Sequence, residues 1–193
     1  GKGNYAGSSG SASWSITKAT ITAPSSPAGK TYTGASQAHG VNLPANTSIV
    51  EANSSLTATN VGTYYVELAL NDSANYMWSD KTIANKKISW TITQKSMEAS
   101  MITLGYSTIE FDGSAKQPSV SVSITANGKT TTIDASNYTV TYSNNTNVGT
   151  ATVTVTGKVN LTGSASKTFT ITTRKYTISY NYNGGSVATA NTE

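Results

Sequence analysis

One histidine, His39, and no cysteine set the first limit on the chemistry open to this 193-residue chain. Without a thiol there is no thiolate nucleophile, no disulfide and no zinc–thiolate site. A Ser–His arrangement could draw its base from one position only, and neither an HExxH nor a GxSxG pattern occurs. The residue types therefore predict no catalytic residues and no cofactor: the chain reads as something other than an enzyme. The carboxylates Asp72, Asp80, Asp112 and Asp134 stand singly, without the alternating Asp/Asn spacing of a calcium loop. Asn71-Asp72 and Ser79-Asp80 could flank a surface cation, but capping of turns by Asp is the simpler reading, and no metal site is predicted.

Aromatic residues carry the remaining chemistry. Tyr76-Met77-Trp78, with Tyr64-Tyr65 nearby in sequence, could form a platform on which a sugar ring or a protein side chain stacks. Tyr76, Trp78 and Tyr65 are therefore the candidate ligand-binding residues. The competing expectation is packing: Trp14 and Trp90 occupy strand positions shared with Phe169 and should be core, with Trp78 lying over a sheet edge.

The elements that would hold such residues are strands. Hydrophobic residues make up 36% and charged residues 11% of the chain, with Ser, Thr, Asn and Gly filling the difference. The 11 Tyr and 3 Trp, with abundant Val, Ile and Thr, separate this composition from that of disordered chains and point to Thr-rich β structure. The net charge of +4 comes from scattered residues, with no basic run longer than Lys86-Lys87 or Arg174-Lys175. A nucleic-acid partner would call for a clustered stripe, so none is expected. No stretch is apolar enough for a membrane-crossing helix, and no membrane insertion is expected in this segment.

The chain repeats itself. Trp14-Ser15-Ile16-Thr17, Trp90-Thr91-Ile92-Thr93 and Phe169-Thr170-Ile171-Thr172 place their aromatic residues 76 and 79 positions apart. Tyr32-Thr33-Gly34, followed by Gln37, is answered 79 positions on by Phe111-Asp112-Gly113 and Gln117. Asn60-Val61-Gly62-Thr63 returns as Asn147-Val148-Gly149-Thr150, and Asn75-Tyr76 as Asn160-Leu161. Such domain-sized periods mark tandem units. The boundaries read as 1–18, the closing strand of a preceding repeat; 19–94, a first repeat; 95–174, a second; and 175–193, the truncated start of a third of different type. The segment 1–18 is expected to add an edge strand to the first unit or to pair with another molecule.

Between these marks the pattern has period two. Tyr64, Val66, Leu68 and Leu70 share a strand face, as do Val120, Val122 and Ile124, then Tyr138, Val140 and Tyr142, then Val153 and Val155. Thr and Ser fill the opposite faces, the pattern of antiparallel strands with one face in a core. Asn127-Gly128 signals a tight hairpin. No trustworthy helical spacing appears; residues 95–101 come nearest. The prediction is all-β: two tandem small antiparallel β-sandwiches, Ig-like in the broad sense, or alternatively β-grasp-like repeats, which would need one packed helix.

The segments "FDGSAKQPSV" and "NYTVTYSNNTNVGTATVTVTGKVNLTGSASKTFTIT" resemble the tandem bacterial Ig-like or MBG/YDG-type repeats of large secreted and wall-attached proteins. "TYTGASQ" to "NVGTYYVELALNDSANYMWSDKTIANKKISWTIT" resembles a sister type, and "YTISYNYNGGSV" resembles the opening of internalin B-type repeats. The resemblance implies an extracellular location at a bacterial cell surface or cell wall and an adhesin-like parent. Within it, the chain would be a structural stalk or spacer whose partners are neighbouring repeats. The alternative it implies is a binding module whose first-repeat loops recognise a host glycan or protein. Surface repeats sometimes carry a spontaneous Lys–Asn cross-link; none is expected here.

Overall fold

The computed structural model describes residues 11–178. It is all-β: its only helical turns among the described residues are three 3-10 segments, Glu51–Asn53, Ala99–Met101 and Ala135–Asn137. No packed helix of the kind a β-grasp unit needs is present among them. The chain divides into two compact units, Gly1–Lys95 with Thr125–Thr131, and Ser96–Ile124 with Thr132–Glu193.

The first unit carries β1 (Ala19–Ile21), β2 (Lys30–Thr31), β3 (Gln37–Ala38), β4 (Thr47–Ile49), β5 (Thr57–Ala58), β6 (Gly62–Leu70), β7 (Tyr76–Trp78) and β8 (Lys86–Thr93). A four-stranded sheet runs β2-β8-β6-β4, with β1-β7 and β3-β5 as two-stranded partners. β6 is the long central strand, and its alternation places Val66 and Leu68 on the buried face. From β8, Ile88, Trp90 and Ile92 bury on the same side, as alternate residues of one strand must. Tyr64 and Trp90 are directly opposite across the sheet, and their rings lie 4.9 Å apart, tilted by 34°. The Trp90 indole N–H, buried with its ring, donates to the Ser55 carbonyl at 3.0 Å.

The strands β9 (Lys95–Ser96), β10 (Ile102–Leu104), β11 (Thr108–Glu110), β12 (Val120–Ala126), β13 (Lys129–Thr132), β14 (Tyr138–Ser143), β15 (Gly149–Gly157), β16 (Leu161–Thr162) and β17 (Ser164–Thr172) follow. A three-stranded sheet β10-β12-β13 accompanies a four-stranded sheet β11-β17-β15-β14, and β9 pairs with β16. Ile102 and Val122 from one sheet, and Val153, Val155, Phe169 and Ile171 from the other, are all buried. Each such side chain contributes about 1.5–3 kcal/mol relative to exposure, so these alternating faces hold the unit closed. Tyr106 meets the Phe169 ring edge-on at 5.6 Å. The hairpin β12–β13 turns at Asn127 and Gly128, with φ of 51° and 75°, the left-handed pair that Asn-Gly supplies.

The four-stranded sheets match strand for strand: β2 corresponds to β11, β8 to β17, β6 to β15 and β4 to β14. The sequence period is thus a period of topology. Two expectations need correction. The sheets are not purely antiparallel, because β2 runs parallel to β8, β11 parallel to β17 and β1 parallel to β7. Trp14 is not core: residues 11–17 form no strand, and Trp14 and Ile16 are 81% and 82% exposed. With no sheet flanking it, the Trp14 segment lacks the neighbours that bury Trp90 and Phe169. Among its described residues it adds no edge strand to the first unit; residues 1–10, and most of the expected third repeat, lie outside the described residues.

Candidate functional site

Trp78 ends β7, in register with Ile21 of β1, and the chain then doubles back over it. The Trp78 N–H donates to the Thr82 carbonyl at 2.9 Å, and the Lys81 N–H donates to the Trp78 carbonyl at 2.9 Å. Asp80 fixes this turn by accepting from the Thr82 N–H at 3.1 Å and from the Thr82 hydroxyl at 2.7 Å, and Lys86 closes it with an ion pair to Asp80. Lys81 takes a φ of 69° to make the return possible. The indole ends 1% exposed, its N–H donating to the Ala84 carbonyl at 2.8 Å. A buried indole needs such a partner, and the turn supplies it.

Of the two readings open for Trp78, this arrangement is that of packing, and it argues against the platform of Tyr76, Trp78 and Tyr65. Trp78 is a core residue with its polar atom already engaged, so it presents no face to a ligand. Tyr76, half-buried on β7, uses its N–H to bond the Asp72 carbonyl at 3.0 Å. Tyr65 is 48% exposed on β6, opposite Ser89 of β8. β6 and β7 belong to different sheets, so sequence proximity does not bring the three rings onto one sheet face.

The four single aspartates are turn formers. Asp72 accepts from the Ala74 and Asn75 N–H groups and, at 2.7 Å, from the Asn75 amide. Hydrogen bonds from the Asn75 side chain and backbone hold its pKa below the usual carboxylate value. Asp134 caps a 3-10 turn by accepting from the Ser136 N–H at 2.8 Å, and bonds from Ser136 lower its pKa as well. Asp80 is lowered to about 2, first by the Lys86 hydrogen bond and then by Thr82. Asp112 is held well below its ordinary value, first by Lys116 and then by Ser114. No group of three His, Cys, Asp or Glu side chains that could hold a metal occurs among the described residues. His39, half-buried, is also locally engaged: its Nδ1 accepts from the Val41 N–H at 2.8 Å.

Two buried charged residues were not singled out by the sequence. Glu67, 8% exposed on the face of β6 opposite Val66, accepts from the Asn85 amide at 2.7 Å, and its N–H donates to the Ser54 hydroxyl at 2.8 Å. Lys116, 6% exposed, pairs with Asp112 four residues earlier. The Asp112–Lys116 spacing was a readable signal; nothing in the alternation of β6 distinguished Glu67 from an exposed outer-face residue. An open surface depression of about 310 Å³ is lined by the turn at residues 144–150. Its walls are Asn and Thr side chains with one valine, without the converging charged or aromatic groups of a binding site.

No family model matches the chain, and no curated protein matches it. No helix among the described residues is long and apolar enough to cross a membrane.

Proposed function

We propose that the chain is a spacer segment, a run of structural repeats within a larger bacterial cell-surface or secreted protein, with neighbouring repeats as its partners. One observation carries this reading. The sheet β2-β8-β6-β4 and the sheet β11-β17-β15-β14 have the same strand order, while the segments joining their strands differ in length and composition. Keeping the framework while the loops vary is the behaviour of an array whose units supply length and rigidity. The reading is consistent with the resemblance to bacterial Ig-like and MBG/YDG-type repeats, and with turns whose aspartates are spent on their own backbones.

The experiment is a swap. In the native polypeptide, residues 19–172 are replaced by two unrelated β-sandwich domains of matched length, and in a second version they are deleted. The spacer reading expects the swap to preserve display of the flanking parts and the deletion to reduce it. Specific retention of a glycan or host protein by the chain, lost on Tyr65→Ala, would replace this reading with that of a binding module.

A further inference from the structure

We infer that each unit is a force-bearing element, held shut against tension along the chain by the parallel pair of its early and closing strands, with the second unit the stronger. The inference deepens the spacer reading and rests on it only for the source of the tension.

In the first unit β2 lies parallel to β8, pairing Lys30 with Ile92 and Thr31 with Thr93. In the second β11 lies parallel to β17, pairing Thr108, Ile109 and Glu110 with Thr170, Ile171 and Thr172. Tension pulls the early strand by its N-terminal end and the closing strand by its C-terminal end. In a parallel pair those ends are at opposite extremities, so the strands can separate only by sliding, and every bond of the ladder is loaded at once. An antiparallel terminal pair would be opened from one end, bond by bond. The strands that precede the clamp, β1 in one unit and β9 and β10 in the other, release only the lead-in segment. Everything between Lys30 and Thr93, or between Thr108 and Thr172, stays closed behind it. The rate of forced unfolding is set by the barrier on this route, not by equilibrium stability.

The two clamps differ in length. The first adds the Tyr32 N–H to the Thr93 carbonyl at 2.9 Å beyond its two register pairs. The second has three register pairs, then the Phe111 N–H to the Thr172 carbonyl and the Thr170 N–H to the Ser107 carbonyl, both at 2.9 Å. More bonds loaded together raise the force needed for sliding. Alternation along β11 points the Ile109 N–H, like that of Phe111, toward β17, and the Glu110 N–H away.

The test is single-molecule pulling of the whole chain by its ends. Two unfolding events are expected, releasing nearly equal lengths, one at higher force. Ile109→Pro removes a clamp donor and should bring the higher event down to the level of the lower one or below it; Glu110→Pro, whose N–H faces away, should leave both unchanged. Thermal unfolding confirms that each variant folds. If Ile109→Pro does not fold, the pair Thr108→Cys with Thr170→Cys serves instead. Oxidation should then abolish the higher event alone, and reduction should restore it. Equal forces for the two events, a higher event indifferent to Ile109→Pro, or loss of the lower event on oxidation would overturn the inference. The swap tests display and not force, so failure of either reading shows separately.

Discussion

The Asn160 side-chain amide donates to the Asn137 side-chain oxygen at 2.9 Å, with both residues buried in the second unit. Asn137 also donates its amide to the Asp134 carbonyl at 3.2 Å, and its backbone carbonyl accepts the Lys158 N–H at 2.9 Å. The pair therefore ties the turn before β14 to the loop after β15. Asn160→Ala leaves a buried amide oxygen without this partner, which costs about 1–3 kcal/mol. In a double-mutant cycle read by urea unfolding, the Asn137→Ala, Asn160→Ala chain is expected to lose clearly less than the sum of the single losses. Additive losses would show that the two side chains are not coupled.

Trp78 offers a second test, because burial and ligand binding predict different phenotypes. Trp78→Ala should lower stability by about 3–5 kcal/mol, the cost of removing a large core ring. Trp78→Phe keeps most of the volume but leaves the Ala84 carbonyl without the indole donor, and should lose less. Chemical denaturation followed by far-ultraviolet circular dichroism reads both. A Trp78→Ala chain as stable as the parent would mean that the indole is not packed as described.

How much of this was legible follows from the physics of each element. Tyr32 and Phe111, Trp90 and Phe169, and Asn75 and Asn160 mark equivalent places in the two units, and all were visible as a period in the sequence. The long strands β6, β12, β14 and β15 were visible because a half-buried strand must alternate. The parallel pairings were not, since strands as short as Lys30–Thr31 carry no periodicity and their direction is set by partners far along the chain. Trp78 could be read either as packing over a sheet edge or as part of a platform, because adjacent aromatic residues look alike in sequence whether they end up buried or not, and burial is the outcome. The partner of the Trp78 indole N–H, the Ala84 carbonyl, comes from the return of residues 79–84, whose turn is fixed by Asp80, a residue that sequence reading could assign only to a generic turn.

Asp80 and Asp112 set an acid dependence whose sign follows from their lowered pKa values. An aspartate near 3.9 when unfolded and lower when folded contributes stability that is present above about pH 4. That contribution fades as the pH falls through the folded value, about 2 for Asp80. The thermal midpoint should accordingly drop between about pH 4 and pH 2, and Asp80→Asn should flatten part of that drop. Both carboxylates face solvent, so added salt should shrink the contribution of the Lys86 and Lys116 charges while leaving the hydrogen bonds from Thr82 and Ser114. A midpoint independent of pH in this window would contradict the assignment.

Gly157 and Gly163 flank β16 and are joined by the Gly157 N–H donating to the Gly163 carbonyl at 2.8 Å, yet they are glycines for different reasons. A Cβ on Gly157 would lie 2.8 Å from the Leu161 backbone and side chain and from the Thr162 nitrogen, atoms that cannot withdraw without moving the chain of β16. A Cβ on Gly163 would meet nothing within 4 Å, but its φ of +72° is one that L side chains rarely adopt. Gly157→Ala should therefore cost about 1–3 kcal/mol through overpacking. Gly163→Ala should cost about 1–2 kcal/mol through backbone strain alone. Asparagine, which tolerates the left-handed region, separates the two causes: Gly163→Asn should recover part of the loss seen with alanine, whereas Gly157→Asn should be at least as damaging as Gly157→Ala. Urea unfolding of the four variants decides it, and equal rescue by asparagine at both positions would mean that the close approach at Gly157 is not what requires glycine there.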